Sequence, residues 1–206
     1  MQDAIVGSWA AQPHFSVAML DSLHDLNHRF LDLVGGRGAD WQTAAAAGLC
    51  EEISVQVAPL SAAQRAAAAH CPYALFDLKF YDHDYWRARL QQSGHWCVAD
   101  EAIATDDTAS FVRLALFYAW HVAATERLSA QLLLGMSAHT AAAFRRATLN
   151  SLPALVAGEA GNLCARWRTC NAYWRALVRA ASHADAERLR RVQLFGLQLE
   201  AAARLP

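Results

Sequence analysis

Lysine is nearly missing from this 206-residue chain: Lys79 is its single lysine, and the other seventeen basic residues are arginine. No apolar run approaches the roughly 20 residues that span a bilayer, so we expect no membrane insertion. The N-terminus lacks a positive start followed by an apolar stretch, so no secretion signal is expected either. Five cysteines without a CxxC pair favour a reduced cytoplasmic protein over a disulfide framework or a structural zinc site.

Catalytic patterns are also missing. The glycines at 35–38 have neither the preceding strand nor the terminal Lys-Ser/Thr of a phosphate-binding loop. Residues 82–84 read Asp-His-Asp, an acid–base pattern, but the corresponding turn at 170–172 reads Cys-Asn-Ala. Cys164 and Cys170 have no evident base beside them. We therefore expect a protein that is not an enzyme and needs no cofactor.

One polar pattern leaves a metal site open. Asp21, His24, Asp25 and His28 fall at i, i+3, i+4 and i+7, so a helix would place them on one face. His24 and His28 have the spacing that lets two imidazoles meet one ion. A solvated polar face is the commoner interpretation, because no third strong motif accompanies the two histidines.

A short pattern occurs twice. Residues 85–88 and 173–176 both read Tyr-Trp-Arg-Ala, 88 residues apart. Leu75 and Leu163 keep the same step, and Gly48 and Gly135 keep a step of 87. This spacing predicts an internal duplication, with two related units packed as a pseudo-dimer.

Helical periodicity dominates the chain. We predict an all-α fold with short extended segments, in one compact domain over 1–206, with repeat 1 at 15–95 and repeat 2 at 108–205. The predicted N-caps include Ser61, Asp84 and Ser137, with further caps predicted at Asp107 or Thr108 and at Asn150 or Ser151. Extended segments are predicted at Leu75–Phe80 and Leu163–Thr169. Helices are predicted at Phe15–Leu33, Trp41–Ala47, Ala62–His70, Phe111–Leu134, Ala138–Ala147, Tyr173–Ala181 and Ala184–Leu205.

Charge is divided between the two halves. Residues 1–106 carry a net charge of −7 and residues 107–206 a net charge of +6. The basic half is suited to an acidic partner or a phosphate backbone, although the pI near 6.7 argues against nucleic-acid binding by charge alone. Trp167 lies between two arginines, and an exposed Arg-Trp-Arg segment would suit contact with a protein partner. Strand alternation is equally consistent with a buried Trp167 flanked by solvated arginines. The predicted contact residues are Arg145, Arg146, Arg166, Trp167, Arg168, Arg175, Arg179, Arg188, Arg190 and Arg191.

The second half carries motifs of a known family. Ser129-Ala130 precedes the Leu-Gly-Met turn at 134–136, Thr148-Leu149 opens a helix, and a Leu-Cys-Ala segment follows at 163–165. These motifs resemble the FlhD family, a flagellar transcriptional activator subunit. Family members are roughly half this length and form homodimers, which assemble with a second subunit, FlhC, that supplies most of the zinc binding and DNA contact. The resemblance implies a fused homodimer in a transcription-regulating complex, with a protein partner and with DNA contact only inside that complex.

Two other functions stay open. A helical adaptor or chaperone-like accessory protein of a bacterial secretion or motility apparatus needs no DNA. A small helical enzyme or metal binder using His24 and His28 ranks last. Self-association and a small ligand between the two units are also left open.

Overall fold

The computed structural model describes residues 16–36, 51–92, 107–156 and 158–203. These residues are mostly helical, as predicted, with one short two-stranded sheet. The α-helices are α1 (Val17–Gly35), α2 (Glu51–Val57), α3 (Ala62–Ala69), α4 (His83–Gln92), α5 (Asp107–Thr125), α6 (Arg127–Leu134), α7 (Ala138–Arg146), α8 (Leu152–Val156), α9 (Asn171–Ser182) and α10 (Ala186–Ala202). The strands are β1 (Phe76–Asp77) and β2 (Cys164–Ala165), and short 3₁₀ turns lie at Leu149–Ser151 and Ala160–Asn162. The predicted helix Trp41–Ala47 lies outside the described residues.

The N-caps predicted at Ser61 and Ser137 are confirmed. The Ser61 side chain accepts from the backbone N–H of Gln64, and the Gln64 side chain accepts in return from the N–H of Ser61, which forms a capping box. The Ser137 hydroxyl accepts from the N–H of Thr140 at 3.0 Å.

The N-cap predicted at Asp84 is wrong. Helix α4 begins at His83, one residue before Asp84. Asp82 occupies the cap position, since its Oδ1 accepts from the N–H of Tyr85 at 3.0 Å. Asp84 lies in the first turn, where a carboxylate favours the positive end of the helix dipole.

The single helix predicted at Phe111–Leu134 is also wrong. The chain breaks at Glu126, which has extended backbone angles (φ −147°, ψ 105°) and whose carboxylate accepts from the N–H of Leu128. This break separates α5 from α6, and both helices contribute buried residues to the core. Gly135 then ends α6 in the left-handed conformation, with φ 71°.

The extended segments are shorter than predicted. The strands pair antiparallel, with Phe76 opposite Ala165 and Asp77 opposite Cys164. The extended conformation stops soon after each strand, because Lys79 and Trp167 have φ values of 56° and 50°. Such values are uncommon for residues with a side chain and mark a sharp turn.

The buried side chains of the described residues form one continuous cluster. Helix α1 packs against α5, where the Phe76 and Phe111 rings meet edge to face at 5.0 Å beside Phe30. Asn27 is buried within α1, donates to the carbonyls of Ala69 and Tyr73, and accepts from the N–H of Leu75. Among the described residues, no helix combines the length and apolar character that a membrane span needs.

Candidate partner-binding surface

Trp86 and Trp174 share their burial and the geometry of one hydrogen bond. Each is fully buried. The indole N–H of Trp86 donates to the carbonyl of Leu78 at 3.1 Å, and that of Trp174 donates to the carbonyl of Arg166 at 3.0 Å. In both cases the acceptor lies eight residues before the tryptophan, so the two bonds are 88 residues apart at both ends.

The turns before these tryptophans also match. Lys79 and Trp167 are 88 residues apart and share the left-handed backbone conformation. The N–H of Asp82 donates to the carbonyl of Lys79 at 2.9 Å, and the N–H of Cys170 donates to that of Trp167 at 2.7 Å. The same turn is therefore built twice from different side chains.

The sheet register follows the same step. Residue 76 pairs with 165, and residue 77 pairs with 164. Residues 164 and 165 lie 88 residues after 76 and 77. The same step therefore converts each of the two residue pairs into the other. This is the register expected where an approximate twofold axis passes through an antiparallel ladder.

Helices of the two halves pack reciprocally. Helix α4 of the first half packs on α7 of the second, and α9 of the second half packs on α2 of the first. Helices α4 and α9 are the ones that carry the Tyr-Trp-Arg-Ala pattern. Each helix that carries the repeated pattern therefore packs on a helix from the other half of the sequence.

Arg166 was predicted to contact a partner at the surface, and this prediction is wrong. The residue is only 6% exposed. Its guanidinium forms a buried ion pair with Glu200 and donates to the carbonyls of Leu133 and Ala74. Because these internal partners balance and hydrogen-bond the guanidinium, Arg166 is held in the interior and does not contact a partner at the surface.

Trp167 is half-buried rather than exposed in a grip. Its ring meets Tyr73 at 5.1 Å and Tyr173 at 4.9 Å, both edge to face. The Arg166 guanidinium lies 4.9 Å from its centre. Of the three residues Arg-Trp-Arg, Arg168 alone is exposed, so this segment serves the core more than the surface.

The other predicted arginines are exposed, and they lie in two regions. Arg145 and Arg146 lie in the last turn of α7. The rest lie on or just before the hairpin formed by α9 and α10, which pack against each other. These exposed residues are Arg168, Arg175, Arg179, Arg188, Arg190 and Arg191.

Ion pairs of the hairpin are local. Arg188 pairs with Asp185 at 3.2 Å, and Arg191 pairs with Glu187 one turn away. Arg190 has no carboxylate partner within the described ranges. Exposed pairs of this kind hold their partners weakly, so the hairpin arginines remain available to an outside acidic group.

Helix α10 is fixed on its inner side. Gly196 lies against Tyr73 so closely that an added Cβ would overlap the phenol oxygen. The Gln193 side chain donates to the carbonyl of His70 at 2.9 Å. On the outer side, Leu194 is 60% exposed and Leu197 is 39% exposed. The exposure of Leu194 and Leu197 was not predicted, although a helical period counted from the buried Val192 places Leu194 on the opposite face.

The residues predicted as possible metal ligands, Asp21, His24, Asp25 and His28, do not form a metal site. Within the described residues, no group of three or more His, Cys, Asp and Glu side chains is arranged to hold a metal. His28 pairs with Asp32 at 3.5 Å. The His24 ring lies 4.7 Å from that of His70, and burial, followed by the His70 charge, lowers the pKa of His24 despite the opposing effect of nearby carboxylates.

The acid–base pattern at 82–84 serves structure. Asp82 caps α4, Asp84 pairs with Arg87 at 3.0 Å, and the His83 ring lies 5.2 Å from His139. These contacts account for the residue types without a substrate.

The buried thiol is not a nucleophile. Cys71 is inaccessible, lies 3.9 Å from the Tyr173 hydroxyl and donates to the carbonyl of Ala68. Burial raises the pKa of the Cys71 thiol to about 12, so it stays protonated at neutral pH.

A cavity of about 330 Å³ lies between the end of α1 and the start of α5. Its polar lining includes Arg29, Asp32, Asp107 and Ser110. Asp32 is held by Arg65 at 3.0 Å, and the lining contains no pairing of a nucleophile with a base.

Comparisons with family models, with curated proteins and with solved structures gave no match.

Proposed function

We propose that this chain is a non-enzymatic protein-interaction module that works as an FlhD-like subunit of a regulatory complex. The observation that carries the proposal is the α9–α10 hairpin, which presents five arginines to solvent from helices fixed in the core. Arginine is favoured at protein contacts because its planar fork binds carboxylates in two places. A rigid scaffold also lowers the ordering cost of binding.

The chain is, in this proposal, two copies of one ancestral unit fused in tandem. The matched indole bonds, the matched turns and the sheet register support a common origin, because each keeps the 88-residue step of the repeated pattern. Reciprocal packing of α4 and α9 supports a fused dimer rather than two separate domains.

The partner is acidic at the surface that meets the hairpin, because complementary charge steers association. Direct DNA binding by this chain alone is not proposed, since the net charge is only −1 at pH 7. DNA contact would come inside a complex whose other subunit supplies most of it. We place the complex in the cytoplasm.

Affinity capture from cells of the source organism tests the proposal, with charge reversal at Arg175 and Arg179 as the variant. The matched control reverses Arg113 and Arg127, which are exposed arginines outside the hairpin. A partner should be lost with the hairpin variant and kept with the control. Equal capture by both variants would contradict a hairpin contact.

The identity of the partner separates the regulatory function from the adaptor function. A regulator subunit or polymerase supports the first, and a component of a secretion or motility apparatus supports the second. A gel-shift titration at two salt concentrations, with and without the co-expressed partner, then tests DNA contact. A salt-independent absence of any shift in both samples would remove DNA from the proposal.

A further inference from the structure

We infer that the outer face of α10 is the seat for one amphipathic helix of another protein, with acidic residues beside an apolar stripe. The inference rests on the proposed function and names the kind of partner. The seat consists of Arg190, Arg191, Leu194 and Leu197. Leu194 lies four residues after Arg190 and three after Arg191, and Leu197 lies three further on, so the four side chains share one face of the helix.

The row combines apolar area with positive charge. Leu194 is 60% exposed and Leu197 is 39% exposed, although both lie on a helix whose other side is packed. Arg190 and Arg191 extend the row toward the start of the helix, and both are exposed. Glu187 of the same helix is exposed and pairs with Arg191, so Arg190 is the arginine of the row that has no carboxylate partner among the described residues. Glu200 is buried in its pair with Arg166 and does not reach this surface.

The apolar part selects a protein over a nucleic acid. A phosphate backbone would satisfy the arginines but would leave the two leucines in water. An amphipathic helix covers such leucines with its own apolar positions and places carboxylates one turn away. Two copies of this chain meeting face to face on α10 would bring like charges together, which disfavours self-association there.

Anchoring of α10 makes the face rigid. Gly196 rests on Tyr73, and Gln193 is tied to the carbonyl of His70. A fixed face needs little ordering on binding, which lowers the entropy cost of a contact there.

Site-specific photocrosslinking in the full chain tests the inference. A benzophenone-bearing residue replaces Leu194 or Leu197, one at a time, in cells of the source organism. Leu128 and Leu149 serve as matched controls, because they are 50% and 51% exposed on other elements. We expect one discrete adduct from positions 194 and 197 and none from the controls, with an acidic helical segment at the crosslinked point. The double substitution Arg190→Glu with Arg191→Glu should lower the yield at least about fivefold.

Each other result overturns the inference in a distinguishable way. An adduct of twice the chain mass would identify a second copy as the occupant. A crosslinked segment that is basic or not helical would exclude the proposed partner chemistry. Loss of capture by the Arg175 and Arg179 variant, without any adduct at 194 or 197, would keep the proposed function and remove this seat. Absence of both would remove both.

Discussion

Gly135 lies directly against the guanidinium of the buried Arg166, with no room between them for a side chain. Gly135 also has a φ of 71°, which residues with a Cβ rarely adopt. Arg166 does not yield easily, because its guanidinium is held by Glu200 and by two carbonyls.

Replacing Gly135 with Ala is therefore expected to lower the free energy of unfolding by about 1–3 kcal/mol, from backbone strain and displacement of Arg166. Gly161→Ala is the control, because Gly161 is exposed and nothing lies within 4 Å of its added Cβ. Urea denaturation followed by circular dichroism measures both. Equal midpoints for the two variants would contradict the role of this contact.

The Arg166–Glu200 pair predicts strong coupling. Glu200→Gln removes the charge that balances the buried Arg166, and Arg166→Leu removes the charge that balances the buried Glu200, so each variant should cost about 3–5 kcal/mol. The double variant should cost much less than the sum of the single variants. The exposed Arg191–Glu187 pair is the comparison, and its loss should cost less than about 1 kcal/mol. Additive costs at Arg166 and Glu200 would show that the ion pair does not join them.

The two buried tryptophans predict matched losses. Trp86→Phe and Trp174→Phe each remove an indole N–H and leave one carbonyl without its donor. Each change should cost about 2 kcal/mol or more, from the lost bond and the space left by the smaller ring. Denaturation midpoints of the two variants are compared directly. A large cost at one position with a negligible cost at the other would argue against equivalent roles.

The half-buried His24 predicts loss of stability in acid. Burial, and then the His70 charge, lowers the pKa of His24, while Asp21 and Asp25 oppose the shift. The unfolded chain takes up this proton near pH 6.5, before the folded protein does, so stability falls as the pH drops through that value.

The free energy of unfolding should therefore decrease more between pH 7.5 and 5.5 in the unmodified protein than in His24→Gln. His121→Gln is the control, because His121 is exposed on α5. Urea midpoints at the two pH values measure the effect. An identical decrease in the unmodified protein and in His24→Gln would contradict it.

Helix boundaries could be predicted where a single residue type marks them. Ser61 and Ser137 are preferred cap residues placed before helical runs, and both act as caps. Glu126 carries no such signal, because glutamate is a good helix former and a rare N-cap. The break between α5 and α6 therefore has no signal in the residue type at position 126, although the Glu126 carboxylate caps α6.

The buried position of Arg166 was hidden for a different reason. Alternation along a strand assigns faces only while the backbone stays extended, and β2 is two residues long. Trp167 adopts the left-handed conformation immediately afterwards. The alternation rule was therefore applied to residues 166–168, where the backbone is no longer extended. The acidic partner of Arg166, Glu200, lies 34 residues away, and no local pattern connects them.

The contact of Tyr73 with Gly196 has a consequence for stoichiometry. The position 88 residues after Tyr73 is Gly161, which is exposed and offers no ring for a helix to rest on. A dimer of identical chains would present every binding face twice. In a fused pair, the two halves can diverge, and here they differ at the position on which α10 rests. Such a chain would present the α10 face only once, so we expect one bound partner per molecule.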